Sequence, residues 1–381
     1  MIRIATTPRT DWTSKVEALG LLYHSQEGRP YWNESACYLF DTGEIAALEE
    51  AVNQLSEMCL AACQHIIDHD RFADLGIPPK AIDLITRAWE QEPPSLYGRF
   101  DLAYSGAGAP PKLLEYNADT PTALLEAAVV QWHWLQECHP GSDQFNSIHE
   151  RLLGKWRELK QGGYLPGDLL HFACLPNAED VVTANYLRDL ADQAGIPTDF
   201  LYMAQIGFDP GRGIFVDQYE RPISSLFKLY PWEWMLDDKF SVHLHSTASA
   251  TTWIEPIWKM LLSGKGILAL LWELYPDHPY LLPAYLDGPR RLERWVRKPL
   301  WGREGANVSV VRGGQVMEET PGEYGRGGWV FQDWRELPVF DGWRPVLGCW
   351  VVDHQAAGLG IRESRGWVTQ GDSPFVPHCI S

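Results

Sequence analysis

An alternation of extended and helical segments in the middle of the chain constrains the fold more than any other feature. The segments are, in chain order, a strand over 169–175, a helix over 180–194 that ends at Gly195, and strands over 198–203, 213–217 and 223–229. Strands that alternate with helices form a sheet covered by helices. We therefore expect a small α/β unit over residues 166–245.

Regular helical spacing dominates the chain before residue 99. Apolar residues recur every three or four positions from Ile45 to Ile66, which predicts a long helix. Residues 80–90 predict a shorter helix, whereas residues 1–43 are loop-rich and aromatic. We therefore expect residues 1–98 to form a mainly helical N-terminal region.

Two more helices are predicted from start signals and apolar spacing. Thr120 before Pro121 predicts the start of an Ala/Leu-rich helix. Residues 253–275 predict a helix that is broken near Gly264. From Trp295 onward the chain is rich in predicted strands and turns.

Charge and composition exclude several classes of protein. The 381 residues include 32 Lys and Arg against 50 Asp and Glu, a formal charge of −18, which argues against a nucleic acid partner and permits a cationic substrate. No apolar run approaches the roughly 18 residues that span a bilayer, and no secretory signal is visible at the start. The seven cysteines are scattered, as in a reduced compartment. We therefore predict a cytoplasmic protein with no membrane partner.

Polar side chains recur on two extended runs that flank a Gly/Pro/Ala loop, which predicts a hairpin. Arg99 and Asp101 share one strand face because side chains two apart point the same way. Glu115 and Asn117 share a face of the other strand for the same reason. Pairing would place three oxygen ligands beside an arginine, a set that suits Mg²⁺ and a phosphoryl or carboxylate group. The polar outer face of an ordinary hairpin explains the same pattern, so both interpretations stay open.

Two basic loop regions late in the chain are candidate phosphate sites. Lys298 and Arg303 flank a loop that contains Gly302, and backbone N–H groups of such loops approach phosphate closely. Residues 348–364 predict a strand, a tight turn and a strand that carries Arg362. An ordinary hairpin loop is the favoured interpretation of the first region from its pattern alone, and a solvated strand charge is the alternative for Arg362.

Other features carry weaker signals. Lys265 lies between glycines that are typical of a helix break, and His243 and His245 lack a third metal ligand at a suitable spacing. A tryptophan group in the C-terminal part permits an alternative function, in which the protein binds or cleaves glycans with the help of acidic pairs. Packing in the core explains the same tryptophans. They are Trp329, Trp334, Trp343 and Trp350.

The order of several longer motifs resembles the synthetase half of glutathionylspermidine synthase and its stand-alone acid–amine ligase relatives. The most specific are LEYNADTPT, over 114–122, and KPLWGREGANV, over 298–308. RFD, YPWEW, EPIWK, GCWVV and GIRES occur in the same order, and the resemblance covers roughly residues 30–375. It implies an ATP-grasp fold in which ATP and Mg²⁺ lie between two α/β units.

The resemblance also implies roles for residues that match the family motifs. Asp101, Glu115 and Asn117 would be the magnesium ligands. Arg99 and Arg303 would be catalytic, at the reacting phosphoryl group and in the loop that closes over it. The residues implied to hold ATP are Lys259, Lys298, Gln332 and Arg362. Here the metal ligands precede the nucleotide lysines in the chain, the reverse of most ATP-grasp enzymes.

The implied fold class is a mixed α/β ATP-grasp fold with this permuted chain order and a small pre-ATP-grasp unit. The expected parts are the helical region 1–98, the metal-ligand hairpin and following helices over 99–165, the small α/β unit over 166–245, and the nucleotide-binding region 246–381. The bifunctional synthase adds an N-terminal amidase domain. The residues before Arg99 predict helices, so we expect no amidase here.

The implied activity is an ATP-dependent carboxylate–amine ligase that forms an amide through an acyl phosphate. The implied substrates are a peptide acid resembling glutathione and an amine resembling a polyamine. No residue pattern identifies the acid or the amine.

Overall fold

The computed structural model describes residues 1–26 and 28–381, which form a mixed α/β protein. The helices are α1 (Trp12–Ala18), α2 (Thr42–Asp68), α3 (Pro79–Gln91), α4 (Gln131–Cys138), α5 (Ile148–Gln161), α6 (Ala178–Gln193), α7 (Trp232–Asp237), α8 (Met260–Ser263) and α9 (Ile267–Leu274). A π-helical turn, Glu126–Val130, leads into α4, and 3₁₀ turns lie at Ala73–Leu75, Met203–Gln205, Ser241–His243 and Ile257–Lys259. The strands are β1 (Ile2–Ala5), β2 (Ser25–Gln26), β3 (Arg29–Pro30), β4 (Ala36–Phe40), β5 (Tyr97–Ala103), β6 (Lys112–Asn117), β7 (Leu170–Cys174), β8 (Thr198–Tyr202), β9 (Gly207–Asp209), β10 (Ile214–Val216), β11 (Ser225–Leu229), β12 (Thr252–Ile254), β13 (Ala284–Tyr285), β14 (Arg294–Pro299), β15 (Ser309–Arg312), β16 (Gln315–Glu319), β17 (Trp329–Asp333), β18 (Arg344–Val352), β19 (Gln355–Ser364), β20 (Phe375–Val376) and β21 (His378–Ile380).

The central alternation forms a parallel sheet in the order β12-β11-β7-β8. Every residue of β7 and β11 is buried, as expected for parallel strands covered on both faces. Helix α6 connects β7 to β8 and begins at Asn177, whose side chain accepts a hydrogen bond from the backbone N–H of Asp180. The predicted strand–helix–strand pattern is therefore confirmed. The run at 213–217 differs, because β10 pairs with β9 in a separate ribbon.

The predicted hairpin is formed by β5 and β6. These strands extend a five-stranded sheet in the order β20-β19-β18-β5-β6, and β18 with β19 forms the predicted strand–turn–strand. Alternate residues of β5 face different environments. Phe100 and Leu102 pack into one apolar core, whereas Tyr97 packs into a second. The same alternation directs Arg99 and Asp101 away from the first core.

A second antiparallel sheet, in the order β13-β17-β14-β15-β16, contains the strands predicted after Trp295. Its central strand β14 ends with Lys298 and Pro299, where the Gly-rich loop begins. The chain ends are joined in a separate three-stranded sheet, in which β4 lies between β1 and β21.

The predicted N-terminal helices are α2 and α3. Asp41 and Glu44 form a reciprocal capping box at the start of α2, and the apolar positions from Ile45 to Ile66 face the first core. The same region contains strands β1 and β4, so residues 1–98 are not helical throughout. No helix in the described parts of the chain is long and apolar enough to cross a membrane.

Two helix predictions need correction. Residues 252–254 form strand β12 at the edge of the parallel sheet, and the helical segments begin only after Pro256, as a 3₁₀ turn and two short helices. The helix predicted from Thr120 begins near residue 124. Ala123 has a positive φ, and Asp119 pairs with Lys228 instead of capping a helix. In both cases tertiary contacts override a local signal.

Candidate active site

A cavity of about 340 Å³ lies where the two antiparallel sheets meet the carboxyl ends of the parallel strands. Its walls come from β5, β6, β14, β17, β18 and β19, from the loop after β14, and from the start of α6. Eight of the nine predicted site residues line it. They are Arg99, Asp101, Glu115, Asn117, Lys298, Arg303, Gln332 and Arg362.

The hairpin register brings the three predicted metal ligands together. Arg99 is opposite Asn117, and Asp101 is opposite Glu115, just before a bulge. Asn117 Nδ2 lies 3.2 Å from Asp101 Oδ2 and 3.1 Å from Glu115 Oε1, so one amide bridges both carboxylates. Rotation of this amide by 180° would turn its oxygen toward the space between the carboxylates.

This donor set fits Mg²⁺, which prefers hard oxygen ligands and keeps several waters. Within residues 1–26 and 28–381, no group of three or more His, Cys, Asp or Glu side chains is placed to bind a metal ion. The candidate set therefore depends on Asn117 as its third oxygen donor.

The two carboxylates have different electrostatic surroundings. Burial alone would raise the pKa of Glu115, but Lys265 and Lys298 outweigh burial and hold that pKa at about 2. Burial raises the pKa of Asp101 above its ordinary value, although Arg99 opposes the shift. A divalent cation between the two groups would favour the ionised form of both.

Arg99 is held rigidly beside this pair. Its Nε and Nη2 donate to the two carboxylate oxygens of Asp101 at 2.7 and 3.2 Å, and its Nη1 donates to the Thr122 carbonyl at 2.7 Å. The guanidinium also lies over the Trp350 ring, 5.6 Å from its centre. Burial by itself lowers the pKa of Arg99, but the neighbouring carboxylates raise it, so the group stays charged.

Two lysines, Lys265 and Lys298, lie near Glu115. Lys298 Nζ donates to the Leu114 carbonyl and to Gln332 Oε1, each at 2.8 Å. Burial lowers the pKa of Lys298 to about 8, although Glu115 opposes the shift. Lys265 Nζ lies 3.2 Å from Glu115 Oε2 and donates to the Gly302 carbonyl at 2.7 Å.

Lys265 is thus a site residue that sequence reasoning discounted. Its flanking glycines do mark a helix break, between α8 and α9, but the break itself directs the lysine into the cavity. The signal by which the sequence could have indicated Lys265 was a lysine within a break between two apolar helical segments.

The loop after β14 carries Arg303 to the cavity. Its Nη1 donates to Thr120 Oγ1 at 2.7 Å, and its Nη2 pairs with Glu233 Oε1 at 3.0 Å. Gly305 has φ +70, and a Cβ there would lie 2.6 Å from the Thr369 carbonyl oxygen, so this turn requires glycine. Arg303 therefore bridges the segment after the hairpin and helix α7, which follows β11.

Arg362 reaches the cavity from β19. Its Nη2 donates to the Gly371 carbonyl at 2.7 Å and its Nε donates to the Ser373 carbonyl at 3.3 Å. The side chain therefore orders the loop before β20 as well as lining the cavity.

The structure does not bring Lys259 to the cavity. Its side chain is buried, lies 2.5 Å from Glu255 Oε2 and donates to the Tyr97 carbonyl at 2.7 Å. All of its nearby acceptors belong to the protein core. Its position therefore does not support the predicted contact with ATP phosphates.

Carboxylates cluster at the outer end of the cavity, and sequence reasoning did not single them out. Glu179 and Asp180 lie in the first turn of α6, and Glu304 and Asp372 line the adjoining space. Burial raises the pKa of Asp180 to about 6. An acidic pair at the start of the helix that follows the strand predicted over 169–175 was the available signal.

The two histidines and four tryptophans that gave weaker signals in the sequence make packing or hydrogen-bond contacts within the protein. His243 stacks on Phe208, and His245 contacts the Lys80 carbonyl. None of the four C-terminal tryptophans is exposed, and Trp350 is stacked against Tyr97 in the core. They do not present a shared platform for a sugar.

Comparisons with known proteins agree on one family. Residues 3–381 match the family model described as "Glutathionylspermidine synthase preATP-grasp". A protein of Haemophilus influenzae named "Putative acid--amine ligase" is 41% identical over 395 residues, covering 99% of each chain.

Larger relatives match over part of their length. Trypanothione synthetase of Crithidia fasciculata is 28% identical over 345 residues, which cover 83% of this chain and 52% of that one. The bifunctional glutathionylspermidine synthetase/amidase of Escherichia coli is 23% identical over 398 residues, which cover 96% and 63%. The chain therefore spans between half and two thirds of these two relatives.

A solved structure shares the fold. The glutathione synthetase-like effector GSS30 of Globodera pallida superposes with a TM-score of 0.59 at 9% identity, over 97% of this chain and 96% of that one. Together with the family match, this confirms the predicted fold class, a mixed α/β ATP-grasp fold.

Proposed function

The chain belongs to the glutathionylspermidine synthase family of ligases, and from that premise we propose that it joins a carboxylic acid to an amine with consumption of ATP. The acid is proposed to be a peptide resembling glutathione and the amine to resemble a polyamine. Products other than the amide are ADP and phosphate.

Asp101, Glu115 and Asn117 are the residues that would hold Mg²⁺. When bound, Mg²⁺ neutralises phosphate charge and orients the phosphate oxygens. The protein's own contribution is the register of β5 and β6, which gathers these oxygens, and Arg99, which lies beside them.

ATP is proposed to occupy the space between the two antiparallel sheets. Lys265, in the α8–α9 break, and Lys298, on β14, both lie near the Glu115 carboxylate, where they would contact phosphates. Gln332 holds Lys298 in place and is proposed to lie near the adenine. Apolar side chains at this end suit the faces of a base. They are Val296, Val310, Trp334 and Leu337. Arg362 is proposed to return toward the phosphates from β19.

The proposed reaction has two steps. A carboxylate oxygen of the acid attacks the γ-phosphorus of ATP, the bond to the bridging oxygen breaks, and ADP leaves with an acyl phosphate formed. The amine nitrogen then attacks the acyl carbon, loses a proton, and phosphate leaves. Arg99 and Arg303 would offset charge on the transferred group, since catalysis of this kind depends on positioning and electrostatic stabilisation.

The acidic outer end of the cavity supports a cationic amine as the second substrate. Glu179, Asp180, Glu304 and Asp372 surround this space, and the chain as a whole carries a formal charge of −18. Such a field attracts cations at long range.

The observation that carries the proposal is the convergence of oppositely charged groups from distant parts of the chain. Glu115 on the hairpin lies 3.2 Å from Lys265, and Lys265 contacts Gly302 beside Arg303. Carboxylates for a metal, lysines for phosphates and an arginine on a loop thus meet in one cavity.

The decisive variant is Asp101→Asn. It should abolish acid- and amine-dependent ADP release while leaving the fold intact, because the amide keeps the size of the carboxylate but not its charge. Asp353→Asn is the matched control, since Asp353 lies in the exposed turn between β18 and β19 of the same sheet. Normal turnover by Asp101→Asn would refute the assignment.

A phosphate-release screen identifies the substrates. Peptide acids are crossed with polyamines and amino acids in the presence of Mg-ATP. Release that requires both members of one pair supports the ligase, and Mg-ATP should also raise thermal stability. No release with any pair, together with no stabilisation by Mg-ATP, would refute the proposal.

A further inference from the structure

Two fully buried ion pairs lie behind the cavity. Lys228 Nζ is 2.6 Å from Asp119 Oδ1, and Lys259 Nζ is 2.5 Å from Glu255 Oε2. All four side chains are at most 1% exposed. None of the four side chains lines the cavity.

Trp232 joins the two pairs into one network. Its backbone N–H donates to Asp119 Oδ2 at 3.0 Å, and its indole Nε1 donates to the Glu255 carbonyl at 2.9 Å. The ammonium of Lys228 lies over the indole ring, 4.7 Å from its centre. The two pairs are therefore connected through a single residue.

The Glu255 half of the network fixes the start of β5. The Glu255 carboxylate accepts hydrogen bonds from the backbone N–H groups of Leu96 and Tyr97 at 2.9 and 3.0 Å, and Lys259 donates to the Tyr97 carbonyl. Tyr97 lies two residues before Arg99 on the same strand face.

The Asp119 half of the network lies next to the residues that accept hydrogen bonds from Arg303. Asp119 immediately precedes Thr120, and Trp232 immediately precedes Glu233. Thr120 and Glu233 are the two side chains that accept hydrogen bonds from Arg303. The two residues that accept hydrogen bonds from Arg303 are therefore adjacent in sequence to Asp119 and Trp232, which belong to the network.

Stability alone is a poor explanation for four buried charges. Replacement of a buried ion pair by apolar residues is often neutral or stabilising, because the pair loses its hydration. We therefore consider a role for the network in fixing the geometry of the site.

We propose that Lys228 is a positioning residue, which acts through Asp119 and Trp232 to place Thr120 and Glu233 for Arg303, while Lys259 acts through Glu255 on β5. This inference rests on the proposed function, since Arg303 has its role in the ligase reaction. It assigns the buried lysines to the alignment of the site and not to contact with nucleotide.

The test compares Lys228→Met with the paired variant Asp119→Asn/Lys228→Met. Arg221→Met is the control, because it removes a cation from buried Asp217, which contacts His171 near the start of β7 and lies away from Arg303. Each protein is measured for stability, for kcat and KM, and for backbone hydrogen exchange over residues 302–306.

We expect Lys228→Met to lower kcat by about 100-fold, the order of loss that a misplacement of 1 Å produces, with KM for ATP within about twofold of wild type. Exchange over residues 302–306 should accelerate. The paired variant should regain stability because no unpaired charge stays buried, yet its kcat should stay low. Arg221→Met should lose stability without either change.

Two results overturn the inference. One is recovery of kcat together with stability in the paired variant, which would make the network merely structural. The other is a rate of backbone hydrogen exchange over residues 302–306 that is unchanged in Lys228→Met. If Lys228→Met does not fold, the same result in the paired variant overturns the inference. Because exchange needs no substrate, it tests the network even if wild type releases no phosphate, a result that would refute the proposed function alone.

Discussion

Replacement of Lys259 by methionine distinguishes an anchor in the core from a phosphate ligand. Family resemblance assigns the lysine to ATP, whereas its side chain is buried between Glu255 and the Tyr97 carbonyl. Lys259→Met retains most of the apolar stem and removes only the ammonium group. The structure therefore predicts a loss of folding stability and little change in ATP affinity.

The size of the loss follows from what remains around Glu255. Removal of one partner of a buried ion pair costs about 3–5 kcal/mol. Glu255 keeps its hydrogen bonds from Leu96 and Tyr97, so we expect the lower end, about 3 kcal/mol. In Glu255→Gln/Lys259→Met the glutamine still accepts both hydrogen bonds and no charge is buried. That variant should lose only about 1 kcal/mol, about 2 kcal/mol less than Lys259→Met alone, so the effects of the two substitutions are not additive.

Urea unfolding followed by circular dichroism gives the free energy of unfolding, and calorimetric titration gives the dissociation constant for Mg-ATP. Lys155→Met is the control, because Lys155 pairs with Glu158 and Asp353, which are 58% and 49% exposed, and such pairs contribute about 1 kcal/mol or less. A loss below about 1 kcal/mol in Lys259→Met, combined with Mg-ATP binding at least tenfold weaker, would refute the anchoring role.

Three further predictions concern the cavity. Burial raises the pKa of Asp180 from 3.8 to about 6, so the native state binds a proton more tightly than the unfolded chain and loses stability as the pH rises between these values. In urea unfolding, Asp180→Asn should therefore be more stable than wild type by about 2 kcal/mol at pH 8 and equally stable near pH 3.5. A stability difference that does not depend on pH would contradict this prediction. Lys265→Met should weaken Mg-ATP binding at least tenfold in calorimetric titration, while Lys155→Met should not; equal affinities would remove Lys265 from the proposed site. The KM for a polyamine should rise as salt increases from about 0.05 to 0.3 M, because screening shortens the reach of the acidic outer end, whereas a KM that ignores ionic strength would contradict steering.

Short-range patterns were enough to predict the elements that carry the site. The alternation at Arg99 and Asp101 and the matching pair on β6 predicted a shared face, and the register confirms that these residues meet. Strand-and-turn chemistry likewise predicted β18 and β19, with Arg362 on the returning strand. These succeed because the side-chain direction on a strand depends only on local geometry.

Local reasoning failed where a distant contact determined the conformation. Thr120 before Pro121 has the chemistry of a helix start, but Asp119 is held by Lys228, 109 positions away in the chain, and the helix begins later. The helix predicted over residues 253–275 overlaps β12 (Thr252–Ile254), which instead completes the parallel sheet beside β11. The energy of a tertiary ion pair or sheet ladder exceeds the small propensity differences on which such predictions depend.

The sequence by itself determined which groups are available: an acidic hairpin, a glycine loop with an arginine, and an excess of negative charge. Only the tertiary structure decided which lysines lie beside these groups in the cavity. Lys265 and Lys259 lie only six residues apart in the chain, yet Lys265 faces Glu115 in the cavity and Lys259 is buried against Glu255. The physical reason is that a lysine's environment is set by the elements packed around it, and those elements come together only when the chain folds.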